Sequence, residues 1–152
     1  MEAARPAVEA DRGRLIALTD LERKEVGPRR GGDLWNRRES LRPVTATLDQ
    51  ALTHDFVVAG TILDYVVGIG IGRIDELDDG TRLGVVQDFF VEEPARGVGV
   101  GEAMMTALVH WFRGEGCFGV DALALPGDRA AKNFFESFGL KARLLTIHAP
   151  LS

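Results

Sequence analysis

The sequence predicts a mixed α/β fold, and three observations carry the prediction. Two runs rich in valine and isoleucine, Phe56 to Ile62 and Tyr65 to Ile74, read as strands. A strand, a glycine turn, a helix and another strand follow one another between Thr81 and Leu125, a βαβ unit with a parallel pair. Further segments near both ends of the chain carry apolar residues at helical spacing. With 152 residues, 45% of them hydrophobic and 27% charged, the chain has the size and composition of one domain, residues 1–152, around a proper core.

Taken in order, Ala4-Arg5-Pro6-Ala7 ends a short edge strand, where proline is tolerated because an edge need not donate every hydrogen bond. Asp11 then caps a helix in which Leu15, Leu18 and Leu21 or Val26 recur at helical spacing until Gly27-Pro28 stops it. Its polar face carries Glu22, Arg23, Lys24 and Glu25. Arg29-Arg30-Gly31-Gly32 is a flexible basic loop, and a further helical segment lies between Asp33 and Leu52, ended or divided by Pro43. Trp35 stands in this region, either lining a pocket or, the commoner role, packing on the core.

The two valine- and isoleucine-rich strands pair antiparallel across a turn at Leu63-Asp64. Gly68, Gly70 and Gly72 alternate with isoleucines, so all three lie on one strand face and leave a groove for a helix or a ligand. Asp78-Asp79-Gly80 turns the chain into the strand Thr81 to Val91. There Asp88, Phe90 and Glu92 share one face and Val85, Gln87, Phe89 and Val91 the other. Asp88, a carboxylate among apolar neighbours, is the first candidate for acid–base chemistry. The acidic stretch from Asp75 to Asp79 either favours a cationic acceptor or, the commoner role, is simply a solvated surface.

After that strand comes Glu92-Glu93-Pro94-Ala95-Arg96-Gly97-Val98-Gly99-Val100-Gly101. Three glycines at alternate positions remove Cβ atoms that would hold a ligand away, and the bare N–H groups and the dipole of the following helix favour an anion, with phosphate or pyrophosphate the natural guest. Val100, Met104, Ala107, Leu108 and Trp111 form that helix's apolar stripe, which Gly114 and Gly116 end. Phe118 to Leu125 is the next strand, and Asp128 caps a helix with Ala131, Phe134, Phe135 and Phe138 on one face before Gly139. Leu140 to His148 reads as a last strand, whose exposed edge offers a route to a homodimer.

Composition narrows the function classes. A net charge of −5 argues against a general nucleic-acid binder, which needs a cationic face. The charged N-terminal residues do not form a signal peptide, and Asp64 and several glycines interrupt the longest apolar run, so a cytoplasmic protein without membrane attachment is expected. Cys117 stands alone among mostly apolar neighbours and reads as an inert packing residue.

The motif Arg96-x-x-Gly99-x-Gly101, with Val91 and Pro94 upstream, resembles the acyl-CoA pyrophosphate motif of the GNAT superfamily of N-acetyltransferases. Downstream, Asp128-x-x-Ala131-x-x-Phe134-Phe135-Glu136-x-x-Gly139-Leu140 is similar to that family's second signature, and Arg5-Pro6-Ala7 through Asp11 to its usual opening. The resemblance implies a splayed mixed sheet of about six to seven strands flanked by about four helices. It implies acetyl-CoA as co-substrate, bound between the Thr81–Val91 and Phe118–Leu125 strands, and no metal. Gly97, Val98, Gly99, Val100 and Gly101 would hold the pyrophosphate, with Arg96 shaping the turn or adding charge, and Asp128 and Phe135 would line the cofactor site. The pantetheine arm would pair with backbone at Phe89, Phe90 and Val91, where an N–H would also polarise the thioester carbonyl.

The implied reaction is direct attack by a primary amine, of a small molecule or a protein, on acetyl-CoA. It requires a base, for which Asp88 and then Glu92 are the candidates. The sequence departs from the family pattern at two positions. Phe135 occupies the place of the tyrosine that commonly protonates the departing thiolate, leaving water, Ser137 or Tyr65 as substitutes, and Asp128 replaces an asparagine that often contacts CoA. A non-catalytic acyl-CoA sensor is therefore the alternative reading, and a plain phosphate or nucleotide site a third.

Overall fold

The structure is a computed structural model in which residues 1–39 and 44–152 are described. Five strands form one mixed sheet: β1 (Glu2–Pro6), β2 (Phe56–Ile62), β3 (Tyr65–Glu76), β4 (Arg82–Val91) and β5 (Gly119–Ala122). They lie in the order β1-β2-β3-β4-β5, with the first four antiparallel and β4 parallel to β5. The helices are α1 (Arg12–Val26), the single turn α2 (Gly32–Leu34), α3 (Val44–His54), α4 (Val100–Gly114) and α5 (Arg129–Ser137), with a π-helical turn at Trp35–Glu39. The expected break at Pro43 lies outside the described residues. The mixed α/β class is as the sequence predicts; the strand count is lower because Leu140 to His148 forms no strand, and Leu144, Leu145 and Ile147 are exposed there.

The sheet separates two cores. On one face α1 and α3 bury Leu15, Leu18, Leu48 and Ala51 against Val57, Ala59, Ile69, Ile71 and Phe90. On the other, α4 lays Val100, Met104, Leu108 and Phe112 across the strands. The strand glycines permit that close approach. A Cβ on Gly70 would stand 3.2 Å from the Leu108 side chain, and one on Gly84 only 2.5 Å from Phe112. The helix stripe runs through Phe112, while Trp111 is only partly buried and stacks on Phe56 at 5.0 Å. Burying each of the large α4 side chains contributes on the order of 1.5–3 kcal/mol, which fixes the helix and the turn preceding it.

Two local features shape the site. In the β3–β4 ladder Ile71 pairs with Asp88 and Gly72 with Val86, so Gln87 is an extra residue and forms a β-bulge. The bulge corrects the expected alternation: Phe89 and Val91 share the α4 face with Val86, not with Val85. In addition, β5 pairs with β4 only from Leu83 to Val86. Beyond the bulge β4 continues alone, and the two parallel strands are splayed apart.

Local chemistry explains the ends of the elements. Asp11 stands at the N-cap of α1, but its carboxylate accepts from Arg5 at 2.7 and 2.9 Å and from the Val8 N–H at 2.9 Å, not from the helix. Leu63 and Asp64 take positive φ in the two-residue β2–β3 turn, and Asp79 accepts from the Thr81 N–H and hydroxyl in the β3–β4 hairpin. Cys117 is half-buried, and burial pushes its thiol up, away from the reactive thiolate form. Among the described residues no helix is long and apolar enough to cross a membrane, and no three His, Cys, Asp or Glu side chains are grouped to hold a metal ion.

Candidate active site

The splay between β4 and β5 opens into a cavity of about 480 Å³. Its walls come from α1 (Glu22, Glu25, Val26), the following segment (Arg29, Trp35), β4 (Gln87, Phe89, Phe90, Val91), the glycine turn and the start of α4 (Arg96, Gly97, Gly99 to Glu102), and α5 (Asp128, Phe134, Phe135). Nearly every position expected to hold a cofactor is thus on one wall or another. Val98 is the exception; its side chain is exposed and does not line the cavity.

The glycine turn is built for an anion, for a reason that differs from position to position. Gly97 and Gly99 have φ of 84° and 99°, a region that other residues reach only with strain. A Cβ on Gly99 would point at the Glu2 side chain, 3.3 Å away, so that glycine is not needed merely to empty the cavity, whereas one on Gly101, inside α4, would meet the cavity-lining Phe134 at 3.4 Å. What Gly97 and Gly99 provide is the turn itself. No side chain caps α4, and its first intrahelical bond outside the regular ladder is Ala103 N–H to Gly99 C=O, so the preceding N–H groups are left to a guest.

Arg96 secures this turn. Its Nε donates to the Val91 carbonyl at 2.6 Å, its Nη2 meets both Glu25 oxygens at 2.9 Å, and its guanidinium lies over the Phe90 ring. The Val91 carbonyl therefore points away from β3. By the alternation of the ladder the N–H and C=O of Phe89 and Val91 face the splay; Arg96 takes the Val91 carbonyl and Glu22 the Phe89 N–H, so the Phe89 C=O and the Val91 N–H are the groups left on this edge. Asp128 caps α5 through the Ala131 N–H at 3.1 Å and accepts from Arg29 at 2.6 Å, tying the supposedly flexible basic loop to the cavity rim. Phe135 is 8% exposed and packs edge-on against Phe89, and Phe134 completes the aromatic floor.

The two expected bases are placed differently. Glu92 pairs with Arg14 at 3.1 Å and is not on the cavity wall. Asp88 is 1% exposed and stands behind a residue assigned by sequence to the solvated face of α1. That residue is Glu22, which lines the cavity and is 3% exposed. Burial above all, and then the charge and hydrogen bond of Asp88, hold the Glu22 carboxyl well above the usual carboxylate range, against the pull of the Phe89 N–H and Arg23. The signal for Glu22 was present: it follows Leu15 and Leu18 at i+7 and i+4, on the buried stripe. Trp35 lines the cavity, the less common of its two expected roles, and neither Ser137 nor Tyr65 reaches the wall. The acidic hairpin lies at the opposite end of β4 from the cavity.

Comparison with known proteins agrees with this geometry. The model of the acetyltransferase (GNAT) family matches residues 18–140. The fold is similar to that of a tetramutant of the BH1408 protein from Bacillus halodurans, with a TM-score of 0.82 at 17% identity over 97% of this chain and 99% of that one. It is also similar to a ribosomal-protein-alanine N-acetyltransferase from Brucella melitensis biovar Abortus 2308, with a TM-score of 0.73 at 14% identity over all of both chains. An aminoglycoside acetyltransferase from an uncultured soil metagenomic sample, solved with sisomicin, gives a TM-score of 0.72 at 17% identity over 99% of this chain and 97% of that one. No curated protein sequence matches.

Proposed function

The chain belongs to the GNAT family of acetyltransferases, and from that premise we propose that it is a single-domain, acetyl-CoA-dependent N-acetyltransferase whose acceptor is a primary amine of a small molecule or protein. One observation carries the reading. The splayed strands leave a cavity that joins a bare helix N-terminus, a free strand edge and a buried carboxyl pair. The names of two similar structures, an aminoglycoside and a ribosomal-protein-alanine acetyltransferase, are those of enzymes with amine acceptors, which supports the same class.

The residues present fit acetyl-CoA. The N–H groups from Gly97 to Gly101 would receive its pyrophosphate, and the Phe89 C=O and Val91 N–H, on the β4 edge that β5 leaves uncovered, would pair with the pantetheine amides. Bound there, acetyl-CoA supplies the activated acetyl group. The chain's own part is to fix the thioester against the β4 edge, donate a backbone N–H to its carbonyl, exclude water with Phe89, Phe134 and Phe135, and take a proton from the acceptor's ammonium. Of the two carboxylates the sequence offers as base, Asp88 is buried beside the cavity without lining it and would act through a neighbouring group; Glu92, engaged with Arg14, is the weaker candidate. Phe135 has no proton to give, so the leaving sulfur departs as thiolate, tolerable for a thiol whose pKa is near 8.5. The protein acts in the cytoplasm on this reading.

Phe135 also favours a second reading, in which the chain binds acyl-CoA as a sensor and transfers nothing. Calorimetry with acetyl-CoA, CoA and ADP, followed by thiol release with a panel of amines, tests both. The transferase reading expects acetyl-CoA binding stronger than that of ADP and thiol release matched by acetylated amine. Failure to bind acetyl-CoA at millimolar concentration would sink both readings, equal affinity for ADP would favour a plain nucleotide site, and binding without turnover would leave the sensor.

A further inference from the structure

We propose that Glu22, rather than Asp88, meets the acceptor amine, that Asp88 acts through it, and that the acceptor is a primary ammonium with no carboxylate beside it. The proposal rests on the transferase reading and names the group at its reacting end. Glu22 alone of the pair lines the cavity, while Asp88 is closed off behind it. The Glu22 carboxyl lies against the Phe89 N–H, on the free edge of β4 where the thioester is placed above. Its Oε1 is buried and has no hydrogen-bond partner among the described residues.

Two buried carboxyls in contact cannot both stay charged without a large penalty, and a single proton held between them supplies the donor that the Glu22 oxygen lacks. The pair is then a monoanion. The charged groups bearing on Glu22 are Asp88 from β4 and Arg23 from its own helix, with Arg23 the weaker influence. A monoanion in a nearly dry wall attracts an ammonium and repels a carboxylate. Its Glu22 carboxyl, raised by burial and by Asp88, is a stronger base than an ordinary carboxylate.

The reaction balances as follows. The ammonium gives one proton to the carboxyl pair, and its nitrogen lone pair forms the bond to the thioester carbon as the C–S bond breaks. The sulfur leaves as thiolate and then takes up the second nitrogen proton, giving free thiol and secondary amide, and the pair returns the first proton to solvent. Asp88 is a positioning residue in this scheme. Its charge keeps the Glu22 carboxyl basic, so its removal acts on the pH dependence more than on the chemistry itself.

The test uses propylamine as probe with acetyl-CoA, and glycine as the carboxylate-bearing counterpart. Glu22→Gln is expected to lower propylamine-dependent thiol release about 10²- to 10⁴-fold while acetyl-CoA affinity stays within about threefold, and glycine is expected to be a poor acceptor throughout. Asp88→Asn is expected to lower turnover less than Glu22→Gln does and to move the acid limb of the pH–rate profile to lower pH, because the neighbouring anion that raises Glu22 is gone. Full activity in Glu22→Gln, or an unmoved profile in Asp88→Asn, would overturn the assignment. If the wild-type protein binds acetyl-CoA but releases no thiol with any amine, the transferase reading fails, and the carboxyl ¹³C resonance of Glu22 decides the site separately. A shift of that resonance on adding propylammonium supports the site, and no shift refutes it.

Discussion

Replacing Gly99 by valine separates conformation from steric room at the anion site. Gly99 is the N-cap of α4 with φ of 99°, and a Cβ there would lean on the flexible Glu2 side chain, away from the cavity. The cost is therefore backbone strain, about 2 kcal/mol for a β-branched residue in the left-handed region. If the turn holds its shape, the strain lowers Tm by roughly 4–8 °C in a chain of this length. If the turn relaxes and must be re-formed around the ligand, the same strain weakens CoA binding roughly thirtyfold. Gly80, at φ of 85° in the β3–β4 hairpin with nothing within 4 Å, is the matched control. Calorimetry with CoA and a thermal scan on Gly99→Val, Gly99→Asn and Gly80→Val read both quantities. Valine at 99 is expected to weaken CoA binding at least tenfold, asparagine less because it tolerates positive φ, and valine at 80 to cost only stability. CoA affinity retained within about twofold in Gly99→Val, or lost equally in Gly80→Val, would refute the reasoning.

Other expectations follow from the same contacts. Gly84→Ala places a Cβ within 2.5 Å of the Phe112 ring and should lower stability by about 1–3 kcal/mol in a denaturant titration. Phe135→Tyr restores a hydroxyl at the aromatic floor and should raise turnover most below the thiol pKa of about 8.5, leaving acetyl-CoA affinity unchanged. Asp11 is held below the ordinary carboxylate range, chiefly by Arg5, so its stabilising contribution is present above that range and lost as pH falls through the lowered pKa. The stability difference between wild type and Asp11→Asn should accordingly be greatest at neutral pH and shrink in acid. Glu22 has the opposite sign. Its raised carboxyl opposes folding as pH rises above the ordinary carboxylate range, so Glu22→Gln should gain stability relative to wild type as pH is raised through and beyond that range in urea titrations.

The sequence made the periodic parts of this protein legible. Alternating isoleucines and glycines from Gly68 to Gly72 foretold a strand face bared for a helix, and Met104, Leu108 and Phe112 fill it. The glycine turn and the Asp128 cap are local chemistry and stand where expected. What it hid depends on contacts between distant segments. Nothing near Gln87 announces the bulge, which exists because β3 lacks the matching residue, and the bulge decides which faces Val85 and Val86 take. The run Glu22-Arg23-Lys24-Glu25 looks like a solvated face by composition, although the spacing from Leu15 places its first residue inward. Leu140 to His148 has the composition of a strand, yet β5 gains no partner from it in the chain by itself.

Hydrogen exchange with and without acetyl-CoA tests the central placement most directly. The account predicts slowed exchange in two separate segments, the β4 edge at residues 89–91 and the turn and first helical residues at 97–102, with the β3–β4 hairpin unchanged. Acetyl-CoA that binds yet slows neither segment would contradict it.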